Sequence, residues 1–193
     1  MVGKRRKTKR VNKMQLDKAR CKRVPAKTLF VLVEKKLNIG DVVVTDSGSS
    51  FFLGMNMVLP PETKYITSGG LASMGYAVAA GIGAWSALGR RTVVILGDGS
   101  FSQCIPELQT VKHYNMPLKI FVINNNGYFS IRKTQEKFFG RTIGESKTTG
   151  VSLPSVEKIA KAYGIKYTKN IDTAFKYKNA VICELMASSK DIK

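Results

Sequence analysis

Gly97-Asp98-Gly99-Ser100 and Asn124-Asn125-Asn126-Gly127 are the segments of this 193-residue sequence whose residue types could do chemistry. Asp98 offers an anionic oxygen and Asn125 a neutral amide oxygen. Hard oxygens with little protein charge suit magnesium, which completes its octahedron with phosphate oxygens and water. Gly97 and Gly99 let a phosphate come close to the backbone and its N–H groups. Gly127 frees the chain to turn a carbonyl inward. Together these residues describe a magnesium–diphosphate clamp. Taken singly, a Gly-Asp-Gly after a strand is ordinary α/β punctuation, and Asn-Asn-Asn-Gly is a turn. Their pairing, order and spacing are what point to a site.

The spacing demands a particular scaffold. The 24 residues from Ser100 to Ile123 hold a turn, a helix and a strand, which returns the second loop to the sheet edge that carries the first. Around them, apolar runs and helical patterns alternate. Ala26–Leu37 reads as a helix with Leu29, Phe30, Val33 and Leu37 on one face. Val42–Thr45 reads as a strand, Ser47–Ser50 as a Gly/Ser loop and Tyr65–Thr67 as a short strand. The Ser68-Gly69-Gly70 turn then leads into a helix over Leu71–Leu88. Thr92–Leu96 reads as a fully apolar strand and Leu118–Ile123 as the next apolar strand. Ser100…Gln103 matches a capping box, but Pro106 argues for a turn over Ser100–Cys104 and a helix over Ile105–Tyr114. Pro154–Tyr163 reads as a helix stopped by Gly164, and Ala180–Leu185 as a last strand. Continuous apolar strands alternating with helices imply an α/β fold, a parallel sheet with helices on both faces. Ligands in such sheets sit beyond the carboxyl ends of the strands. The loops after Thr45, Leu96 and Ile123 are therefore expected to carry the function.

The uncharged stretch Leu71–Leu88 is about long enough to cross a bilayer. Its glycines and serines, and its place between two sheet segments, read instead as a buried helix, with positions 75, 79 and 83 allowing close packing. No membrane association is expected. The formal net charge of +19 is concentrated at the start. Residues 1–27 carry twelve Lys/Arg and a single acid, Asp17. Residues 1–25 read as a basic, disordered tail and 26–193 as the folded domain. The tail lacks the apolar core of a secretory signal. It could hold a polyanion such as RNA by counterion release, although a solvated extension is the plainer reading. Cys21, Cys104 and Cys183 form no CxxC pair and read as reduced thiols of a cytoplasmic protein. With His113 the sole histidine, a multi-histidine metal site within one chain is excluded. His113 reads as a surface residue at a helix end and Glu107 as a first-turn acid. Arg132–Gly150 reads as a lid or a surface loop.

The stretch GDGSFSQCIPELQTVKHYNMPLKIFVINNNGY resembles the signature of thiamine-diphosphate enzymes of the acetolactate synthase, pyruvate decarboxylase and benzoylformate decarboxylase group. TSGGLASMGYAVAAGIGAW and VVVTDSGSSFF are similar to the same group, and the resemblance extends over roughly Ala26 to Leu185. It implies thiamine diphosphate and Mg2+ as cofactors. Asp98, Asn125 and the carbonyl of Gly127 would be the metal ligands. Gly99, Ser100 and Tyr128 would offer backbone N–H groups to the diphosphate, next to Gly97. Met74 would wedge the cofactor into its bent form. Ala72 stands where the family often has glycine, whose carbonyl accepts a bond from the aminopyrimidine. Ser49 and Ser50 lie in a loop that often touches the diphosphate. The resemblance further implies a 2-oxo acid substrate. The glutamate that activates the pyrimidine is expected on a separate pyrimidine-binding domain, so a partner subunit or an oligomer is expected to complete the site. The competing readings are a thiamine-diphosphate-binding protein without catalysis and a nucleic-acid-binding protein led by its tail.

Overall fold

Val42–Thr45 is β-branched at every position and forms β1, buried throughout. The computed structural model describes residues 23–188. Lys64–Thr67 forms β2, Thr92–Gly97 β3, Lys119–Asn124 β4, Lys166–Thr168 β5 and Val181–Met186 β6. The strands make one six-stranded sheet in the order β2-β1-β3-β4-β6-β5, and every pairing is parallel. The interior strands are mainly apolar on both faces, Lys119 and Glu184 being the buried charged residues among them, because both faces are covered.

The helices are α1 (Ala26–Glu34), α2 (Ser49–Gly54), α3 (Tyr76–Leu88), α4 (Asp98–Gln103), α5 (Glu107–His113), α6 (Phe129–Phe139), α7 (Val156–Ala162) and α8 (Ile171–Lys176). On one face of the sheet, Val44, Val94, Leu96, Ile120, Val122 and Ile182 pack against residues of α3, α4, α5 and α7. On the other, Val43, Val93, Ile95, Phe121 and Cys183 pack against α1 and α8. Leu29, Phe30 and Val33 are buried on the α1 face expected from the sequence, but the helix ends at Glu34 and Leu37, also buried, lies beyond it. Cys104 and Cys183 are free, buried thiols. Cys21 lies outside the described residues.

Several boundaries differ from the sequence reading, each for a local reason. The helix expected over Leu71–Leu88 begins only at Tyr76, because Ala72 and Gly75 take left-handed backbone with φ of 52° and 80°. Its close-packing position is Gly81, where a Cβ would lie 2.6 Å from Val94 Cγ2, whereas Gly83 faces open space. Among the described residues no helix is long and apolar enough to cross a membrane. Ser49 and Ser50 open α2 instead of lying in a loop. The helix expected over Ile105–Tyr114 is preceded by α4, and the two are separate because Pro106 cannot continue α4. Part of Arg132–Gly150, read as a loop or lid, is helical in α6. The short elements β5 and α8 have no counterpart in the sequence reading. Residues 23–25, grouped with the tail by composition, lie against the end of β6. Val24 N–H donates to Met186 O at 3.2 Å, and Ser188 N–H donates to Val24 O at 2.9 Å. The rest of the basic tail lies outside the described residues.

Candidate functional site

The sheet order reverses between β1 and β3, since the chain runs outward to β2 and returns on the other side of β1. A parallel sheet opens a crevice at such a point, beyond the carboxyl ends of the strands. A pocket lies there. It is lined by Ser47, Gly48, Ser49 and Ser50 after β1, by Gly97, Asp98, Gly99 and Ser100 after β3, and by Asn125, Gly127 and Tyr128 after β4. Met74 closes one side. Of the residues singled out from the sequence, Ala72 alone stands outside this lining, exposed in the loop before α3.

Asp98 and Asn125 come together because β3 and β4 are adjacent and parallel, with Gly97 in register with Ile123. Asp98 is 5 % exposed. Its Oδ2 accepts from Gly127 N–H at 2.9 Å and its Oδ1 from Gly99 N–H at 3.1 Å. Burial raises the carboxyl's pKa to about 6, against the pull of those N–H donors. Asn125 is buried, and its Oδ1 has no hydrogen-bond partner. An acceptor left in that state costs about 1–3 kcal/mol, and its place in the pocket lining with Asp98 leaves it open to a bound donor or cation. Nothing lies within 4 Å of where a Gly97 Cβ would stand, so the backbone there is open to a ligand. Among the described residues no group of three or more His, Cys, Asp or Glu could hold a metal alone. An orphaned amide oxygen, one buried carboxylate and an open glycine backbone therefore fit a hard cation that completes its shell with ligand oxygens.

The surrounding glycines are fixed by close neighbours. A Cβ on Gly99 would sit 2.4 Å from the Tyr128 ring and 3.3 Å from Met74 Cε. Gly127 has φ of 131°, and a Cβ there would meet Glu145 O at 2.0 Å. Tyr128 departs from expectation. Its N–H donates to Glu145 O at 2.8 Å, so this conformation offers its ring to the site, over Gly99, and not its N–H. Ala72 has left-handed backbone, which explains why a glycine suits the position.

Residues that the sequence reading passed over also build the site. Asp46, fully buried, follows β1 directly. Its carboxylate accepts from the N–H groups of Ser47 at 2.9 Å, Gly75 at 3.2 Å and Ala77 at 2.9 Å. It thereby ties the segment carrying Met74 to the sheet edge. An aspartate immediately after a β-branched strand was the available signal. Glu145 gave none, because its partner Arg132 and its contact with Gly127 are products of the fold.

Comparisons with known proteins agree with this geometry. The model of the thiamine pyrophosphate enzyme family, C-terminal TPP binding domain, matches residues 46–190. Over 157 residues the chain is 31% identical to the acetolactate synthase large subunit of Porphyra purpurea, covering 76% of this chain and 26% of that one. It is 37% identical over 126 residues to the acetolactate synthase isozyme 2 large subunit of Escherichia coli (strain K12), covering 64% of this chain and 23% of that one. Against the large subunit from Buchnera aphidicola subsp. Acyrthosiphon pisum, identity is 32% over 165 residues, covering 82% of this chain and 28% of that one. The chain thus spans about a quarter of the length of these curated relatives. The family match takes in the loops after β1, β3 and β4 that line the pocket, and by that match the chain belongs to the thiamine pyrophosphate enzyme family as its C-terminal, TPP-binding domain.

Proposed function

We propose that this chain is the diphosphate-binding part of a thiamine-diphosphate-dependent decarboxylase or carboligase acting on a 2-oxo acid, of acetolactate synthase type, and that a pyrimidine-binding domain completes its active site. The observation that carries the reading is the buried, partnerless Asn125 Oδ1 beside the buried Asp98 carboxylate at the sheet's switch point. In this reading Asp98, Asn125 and the Gly127 carbonyl hold Mg2+. Gly97, Gly99 and Ser100 present backbone to the diphosphate, with Ser49 and Ser50 facing them from the β1 side. Met74 props the cofactor, and the Ala72 carbonyl receives its aminopyrimidine. The chemistry supplied by the bound cofactor is carbanion stabilisation at its thiazolium carbon. Among the described residues Asp98 is the only carboxylate lining the pocket, and the reading commits it to metal. The acid that activates the pyrimidine then comes from another domain or subunit, which is the reason for proposing a partner or an oligomer.

Calorimetric titration of the full chain with thiamine diphosphate tests the reading. Binding should require Mg2+, and Asp98→Ala should remove it. Unchanged affinity in Asp98→Ala would end the metal assignment. Turnover is tested by mixing the chain with a pyrimidine-binding subunit and following pyruvate consumption. Tight cofactor binding with no turnover in any such mixture would favour a non-catalytic binder instead.

A further inference from the structure

Glu184 lies in β6, an interior strand, and is 8 % exposed. Its neighbours on that face are apolar, with Ile182 and the paired Val122 both fully buried. A carboxylate in such a place weakens a core unless its oxygens are satisfied, so the sheet alone gives no reason for it. Both oxygens have donors. Asn124 Nδ2 donates to Oε1 at 2.6 Å and the Tyr167 hydroxyl to Oε2 at 2.5 Å. With its NH2 turned to Glu184, the Asn124 amide must present Oδ1 the other way, and that oxygen accepts from Asn126 N–H at 3.0 Å. Asn126 is a non-glycine residue in left-handed backbone, φ 62°. The turn it makes puts Gly127 N–H on Asp98 and Asn125 in the pocket.

We propose that Glu184, which does not line the pocket, is a positioning residue. Through the amide of Asn124 it sets the left-handed turn at Asn126 and so aims Asn125 and Gly127 at the cation. The inference rests on the metal reading given above. Outer groups that orient metal ligands are commonly worth about 10–100-fold in metal affinity.

The test is a Mg2+ titration, by calorimetry, of the full chain at saturating thiamine diphosphate. Glu184→Ala and Asn124→Ala should each weaken Mg2+ binding about 10–100-fold. Glu184→Gln, which can still accept from Asn124, should stay close to the native chain. The double variant Glu184→Ala/Asn124→Ala should lose no more than the worse single variant, because both act through one chain of bonds. A merely structural role would lower the melting temperature and leave Mg2+ affinity in place. Should Glu184→Ala fail to fold, Asn124→Ala, at the strand's end, decides the matter. Native-like Mg2+ affinity in a folded Glu184→Ala or Asn124→Ala overturns the inference, and so do losses that multiply in the double variant. A native chain that takes up neither Mg2+ nor cofactor overturns the metal reading and this inference together.

Discussion

Gly99 and Gly127 are held to glycine by different kinds of neighbour, and the difference sets what substitution should do. At Gly99 a methyl group would strike the ring of Tyr128, a side chain that can swing aside. Gly99→Ala should therefore cost about 1–3 kcal/mol, the range of an overpacked site. At Gly127 the obstacle is a backbone carbonyl, that of Glu145, and φ is positive besides. Gly127→Ala should cost more than Gly99→Ala and should dislodge residues 141–150. Urea unfolding of the two variants checks the ranking, and equal losses would contradict it. Ala72 runs the other way. It holds left-handed backbone at φ 52°, which costs an alanine roughly 1–2 kcal/mol, part of which glycine gives back in chain entropy. Ala72→Gly should thus stabilise the chain by about 0.5–1 kcal/mol. The sequence marks Gly99 and Gly127 as turn-forming residues, whereas Ala72 reads there as part of a helix and departs from the glycine that the resemblance implies. The sequence does not contain the Tyr128 ring or the Glu145 carbonyl as neighbours, because those contacts exist only once the β4 loop has been drawn against residues 141–150.

Elements with a strong period were legible and short ones were not. The runs Thr92–Leu96 and Leu118–Ile123 were visible because a five- or six-residue run that is apolar save for Thr92 and Lys119 fits a strand covered on both faces. Lys166-Tyr167-Thr168 carries no such signal, and β5 exists because β6 offers it an edge. Lys119 shows how an element can hide a cost. It opens β4 at 3 % exposure, donating through Nζ to the carbonyls of Tyr177 and Asn179, the latter at 2.9 Å. Burial, with Arg91 nearby, lowers its pKa from 10.5 to about 8. Between those values the unfolded chain binds a proton that the folded chain has released, so stability should rise with pH across that window. Denaturant unfolding from pH 7 to pH 10 should show that slope as the difference between the native chain and Lys119→Met, since the buried thiols of Cys104 and Cys183, their pKa values raised by burial, pull stability the other way in both proteins. Lys119→Met should lack the lysine's contribution and should also be less stable at pH 10, by about 1–3 kcal/mol, because the two carbonyls lose their donor. The same slope in both proteins would show that Lys119 is not its source.

At the scale of the molecule, the site is a property of strand order, which the sequence implied without fixing. Three loops far apart along the chain meet because β1, β3 and β4 are neighbours in one parallel sheet and the order reverses between β1 and β3. The helices behind them are packed and the loops are cross-tied through Asp46, Asp98 and Glu145. Little rearrangement is then needed on cofactor uptake, and the binding energy should appear as added stability of the whole domain. A ligand that binds only the folded state contributes about 2.7 kcal/mol at a hundred times its Kd. For a domain of this size that is a rise in Tm of about 5–10 °C. Thermal unfolding of the full chain with thiamine diphosphate and Mg2+ should show this rise. Chelation of the metal should abolish it, because the diphosphate alone would face the uncompensated charge of Asp98. Asp98→Ala should show no metal-dependent rise. A shift of equal size with and without metal would mean that the diphosphate is held by the backbone alone, and that the carboxylate and amide at the sheet edge serve some other end.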